Sequence, residues 1–114
     1  MLEKLFNDLV ASNEALIDKF KKYLDASNYD GKRNFKTWLG ELVKAMDQLE
    51  SALADTKDKR IAMGKALDDF VKMQGPNISA NKAAVETVSR ISLVMADIHT
   101  NIETIKVHIK KYKA

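Results

Sequence analysis

The stretch FKTWLGELVKAMDQLESALADTKDKRIAMGKALDDF, Phe35 to Phe70, places apolar residues at alternating steps of four and three. The series runs Phe35, Leu39, Leu42, Met46, Leu49 and Leu53, then Thr56 and Arg60, then Met63, Leu67 and Phe70. A repeat of 3.5 residues belongs to helices that wind around one another, because it keeps one seam facing a partner. The seam predicts a helix over about 33–74. Thr56 and Arg60 break it with polar groups, and two readings stay open. They form a buried polar layer that fixes register, or Arg60 lays its stem on apolar surface and keeps its head in water.

Outward from this helix, the turn signals are few. Gln74-Gly75-Pro76-Asn77 ends it, with Gly75 suited to a left-handed position and Pro76 unable to continue the hydrogen-bond ladder. Ser79 is the expected N-cap of a third helix over about 79–112, patterned by Ala84, Val88, Ile91, Met95, Ile98, Ile102, Ile105, Ile109 and Tyr112. On the other side, Asp25 to Asn34 is rich in Asn, Asp and Gly and reads as a loop. Before it, Leu2, Leu5, Phe6, Leu9, Leu16, Phe20, Tyr23 and Leu24 predict a first helix over about 2–26, with a soft polar spot at Ser12-Asn13.

The fold class expected is therefore all-α: one domain, residues 1–114, as a three-helix antiparallel bundle. At 1.5 Å per residue the second and third helices are about 60 and 50 Å long, the first only about 35–40 Å. A short first helix leaves Arg60–Asn77 and Ile78–Arg90 as a bare, protruding hairpin. Met63, Leu67, Phe70, Val71, Val85 and Val88 lie there, and a second copy of the chain is the simplest cover for them. A break of the first helix at Ser12-Asn13 would instead give a compact monomer.

Net charge is +3, and the same geometry gathers Lys19, Lys22, Lys32, Arg33, Lys106, Lys110, Lys111 and Lys113 toward one pole. That pole is either a foot for anionic lipid or a solvated surface whose lysines complement helix C-termini. Aromatic residues are few and not interleaved with basic ones, so nucleic acid is not an expected partner. With no cysteine, neither a disulfide nor a thiolate zinc site can form. His99 and His108, nine residues apart, fall on opposite faces of a helix and cannot share a metal. No cofactor and no enzymatic activity are expected. The N-terminal MLEKLFNDLV carries acids where a secretory signal is basic, and the default compartment is the cytoplasm, with peripheral membrane attachment and signal-independent export both open.

Two stretches resemble known families. Between Leu49 and Glu103, Arg60 opens a segment closing on Phe70, followed by Ser89-Arg90, Ala96-Asp97-Ile98 and Ile102-Glu103. This pattern resembles the first-to-second helix region of sorting-nexin-type BAR domains, although the chain adds a short N-terminal helix and lacks a third long one. The resemblance implies a dimer of bent helices on anionic, curved membrane. Trp38-Leu39-Gly40 resembles the Trp-x-Gly motif of small secreted helical-hairpin proteins, where it occupies the turn between two helices. Here it falls inside the start of the second helix. The expected function is a non-enzymatic helical interaction module that self-associates as a homodimer, with a BAR-like membrane protein and a secreted hairpin protein as alternatives.

Overall fold

The computed structural model describes residues 2–29 and 31–113, apart from the side chains of Tyr112 and Lys113. It is all-α: helix α1 spans Leu2–Ser27, α2 Phe35–Gln74 and α3 Lys82–Lys113. Among the described residues there is no strand. The molecule is a rod of 64 × 22 × 17 Å.

Capping chemistry explains where the helices start and stop. The Oδ1 of Asn34 accepts from the backbone N–H of Lys36 at 2.8 Å and of Thr37 at 3.4 Å, satisfying two of the free donors at the start of α2. At its other end Gly75 has φ 74° and ψ −168°, a region essentially restricted to glycine, and its N–H bonds back to the carbonyl of Lys72. The connection is not a simple loop. Gly75–Ala80 forms short 3-10 turns kinked at Asn77, with Pro76 in the first, which delays α3 to Lys82. The expected cap at Ser79 is thus corrected: Asn81 does that work, its Oδ1 accepting from the N–H of Ala84 at 3.2 Å.

Helix α1 is continuous through Ser12-Asn13. Near the first loop its Ala26 carbonyl accepts from the Trp38 indole at 2.8 Å. Midway Ser12 meets Thr56, and at the far end Leu2 shares a groove with Ala66 and Phe70. Against α3, Phe6 shares a groove with Ile91 and Val94, and Asn101 Nδ2 donates to Asn13 Oδ1 at 3.1 Å. Phe20 then meets His108 edge-on, with ring centroids 5.2 Å apart. Between α2 and α3, a Cβ added at Gly64 would lie 3.4 Å from Met95, and Leu53 shares a groove with Ile109 and Lys110.

The core follows the seams. Leu9, Leu16 and Tyr23 of α1, Leu49 and Met63 of α2, and Ile91, Ile98, Ile102, Ile105 and Ile109 of α3 are buried in one cluster. The α1 residues are seven apart, so the same stripe of that helix returns to the core every second turn. The two sides of the α2 seam divide the labour. Trp38, Ala52, Thr56 and Ala66 meet α1, whereas Leu53, Gly64 and Leu67 meet α3.

Candidate interaction surfaces

The interrupted seam resolves into two unlike environments. Thr56 is fully buried against α1. Its Oγ1 lies 2.8 Å from Ser12 Oγ, 3.1 Å from the Ser12 carbonyl and 3.0 Å from the Ala52 carbonyl. Ser12 Oγ in turn donates to Asp55 Oδ2 at 2.6 Å, and Lys59 Nζ donates to Asp55 Oδ1 at 2.7 Å. The soft spot of α1 and the break in α2 are thus one polar layer, extended to α3 by Asn13 and Asn101. Arg60 lies on the other side of the seam, half-buried in a groove with Gly64, Leu67, Met95 and His99.

Asp55 holds its carboxyl below the usual carboxylate value, first through the Lys59 ammonium and then through the Ser12 hydroxyl. A carboxylate whose pKa falls on folding stabilises the fold above its unfolded value near 3.8, and that contribution is lost as pH drops through the lowered folded value. Denaturant midpoints should fall below about pH 4. Asp55→Asn should lose part of this dependence and only modestly weaken the protein near neutrality, because the carboxylate is half exposed to screening solvent.

The expected bare hairpin is shorter than its sequence suggests. Leu2 reaches Ala66 and Phe70, so α1 covers α2 well beyond Arg60. The register of the first contact, Ala26 against Trp38, carries α1 that far. Met63 is corrected accordingly: it is fully buried in the core cluster and offers no surface to a partner. Leu67, Phe70, Val71 and Val88 are half-buried, Leu67 packing on the core, and Val85 is exposed. A cavity of ≈ 440 Å³ opens at this tip, lined by Leu2, Glu3, Ala66, Asp69, Phe70 and Met73. Met73 is 85% exposed beside it, a residue off the seam that periodicity alone does not single out.

Several of the basic residues pair with acids on the surface. Lys22 pairs with Asp18 at 3.2 Å, Arg33 with Glu41, and Lys106 with Glu103 at 3.6 Å. Lys19 lies midway along the rod in a groove with Ser12, Gln48 and Asp55, away from the pole where it was expected. Lys32, Lys110 and Lys111 are exposed, and the side chain of Lys113 lies outside the described residues. Among the described residues no helix is long and apolar enough to cross a membrane, and no group of three His, Cys, Asp or Glu side chains gathers as metal ligands.

A second apolar surface lies at the start of α2, where Phe35, Leu39 and Val43 are 57%, 43% and 53% exposed. Beside them the Trp38 ring meets those of Tyr29 and Phe35 at tilts of 47° and 45°, with ring centroids 4.9 and 5.5 Å apart. By spacing Phe35 and Leu39 belong to the packed seam, yet both lie exposed. No family model, curated protein or solved structure matches the chain.

Proposed function

We propose that this chain is a non-enzymatic assembly module, an antiparallel three-helix bundle that pairs with a second copy of itself through the tip where α2 passes the start of α1. The observation that carries the reading is the apolar tip itself: Leu2 and Phe70 line an open cavity with Met73 projecting beside it. An apolar side chain left in water at that exposure gains from burial, at about 25 cal/mol per Å² of apolar area. Charge at the tip is balanced, Glu3 and Asp69 against Lys4 and Lys72, so a second copy meets little repulsion there.

Sedimentation equilibrium tests this reading. Wild type should be a dimer, and Met73→Asp should weaken pairing by about tenfold or more. Its melting temperature when monomeric should match that of the dissociated wild type, because the side chain makes little of the core. Monomeric wild type, or a dimer indifferent to Met73→Asp, would overturn self-association through the tip.

A further inference from the structure

Arg60, the second polar break in the α2 seam, lies in a groove between α2 and α3 with a volume of ≈ 640 Å³. That is the size of cleft in which small ligands are held. Across the interface Leu53 lies beside Ile109 and Gly64 beside Met95, so the partners on α3 run backward as α2 runs forward. Arg60 therefore comes level with His99 and Thr100, and Asp68 with Ser92.

The arginine is half-buried here, and among the described residues no carboxylate pairs with it. The other half-buried arginine, Arg33, does have such a partner in Glu41. Of the Arg60 nitrogens only Nε is enclosed without a hydrogen-bond partner, so the two terminal nitrogens form the edge that opens on the groove. A guanidinium against apolar walls is poorly hydrated. A carboxylate that accepts from both terminal nitrogens supplies a strong, charge-assisted partner there.

The groove is polar at its ends and apolar between them. Gly64, Leu67, Met95 and Ala96 line the middle, with Leu67 and Met95 packed on the core. Asp68, the one carboxylate in the walls, stands eight residues from Arg60, about 12 Å along the helix axis. An anionic group is thus drawn to one end and repelled from the other. We propose that the groove binds an amphipathic monocarboxylate of the fatty-acid class. Its carboxylate is held end-on by the terminal nitrogens of Arg60, and its chain lies over Leu67 and Met95 toward Asp68. The site is separate from the tip and does not rest on self-association.

Met95 reports occupancy of the groove, and Met73 that of the tip. Full-length protein with labelled methionine methyls is titrated with decanoate, and the methyl NMR shifts are followed. Acetate, decanedioate and decyltrimethylammonium are run alongside. Decanoate should shift Met95 saturably, one molecule per chain, and leave Met73 unmoved. The diacid brings a second carboxylate to Asp68, and the ammonium meets Arg60 with the wrong sign. Each should bind weaker than decanoate by about tenfold or more. Acetate, which lacks the chain, should give no shift at the same concentrations. Arg60→Gln should weaken decanoate by about tenfold or more. Asp68→Asn, at an exposed position, should fold as wild type does and bring the diacid to within about threefold of decanoate. Met73→Asp should bind decanoate unchanged, so loss of pairing at the tip and loss of this site are read apart. Equal binding of decanoate and any of the three comparison ligands, undiminished binding by Arg60→Gln, or a response confined to Met73 overturns the proposal.

Discussion

Leu49→Ala is expected to lower the unfolding free energy by about 2–5 kcal/mol, the largest loss from any conservative change considered for this chain. Leu49 is fully buried on the α2 seam, within the cluster that joins all three helices. Truncation removes its transfer free energy and leaves a cavity that rigid helix–helix packing closes only in part. A single domain of this size has about 5–15 kcal/mol in total, so the loss is a large fraction of it. Thermal unfolding by circular dichroism should show a melting temperature lower by roughly 10 °C or more, with helicity at low temperature retained. A drop of only a degree or two would mean that the seam at Leu49 is not closed as described.

Thr56→Val should cost about 0.5–1.5 kcal/mol although it exchanges a hydroxyl for a methyl of similar size. The Thr56 hydroxyl serves buried acceptors, the Ser12 hydroxyl and two backbone carbonyls, and valine leaves them in an apolar layer with one donor fewer. Both carbonyls keep the N–H of their own helix and the Ser12 hydroxyl keeps Asp55, so the loss is that of one net hydrogen bond in a closely packed layer. Adding Ser12→Ala removes one of those acceptors together with its proton to Asp55, and the double variant should lose less than the two single losses summed. Equilibrium denaturation of the four proteins in the cycle measures this. Strict additivity within a few tenths of a kcal/mol would show that the two hydroxyls do not act as a pair.

The helices themselves were legible because each carries a sustained apolar period with few breakers inside it. Pairing was less so. Ser12-Asn13 and Thr56 each look like a defect in a seam, and only the register of α1 against α2 shows that they face one another. Periodicity fixes which side of a helix is apolar but not how far one helix has slid along the next. The same gap misplaced Met63: the lengths were sound, but the contact of Trp38 with Ala26 carries α1 further along α2 than a count from the first seam residue suggests. Phe35 and Leu39 carry the ordinary seam pattern, and nothing local distinguishes them from Leu49. Their exposure follows from where α3 lies, which is a property of the assembly of helices. Met73 is an isolated residue off the seam, and a pattern search passes over it.

A seam of interchangeable aliphatic residues has a weakness that the polar layer offsets. Sliding α1 along α2 by one heptad would keep most leucines against leucines, so apolar packing alone separates the true alignment from its neighbours by little. In either slipped alignment Ser12 would face Leu49 or Met63, and Thr56 would face Leu5 or Lys19. Each slip therefore takes from Ser12 its partners Thr56 and Asp55, and leaves Thr56 only the Ala52 carbonyl of its own helix. One pair of small polar side chains along the α1–α2 contact thus acts as a vernier mark. It adds little to the strength with which the helices hold, and it sets the position at which they stop.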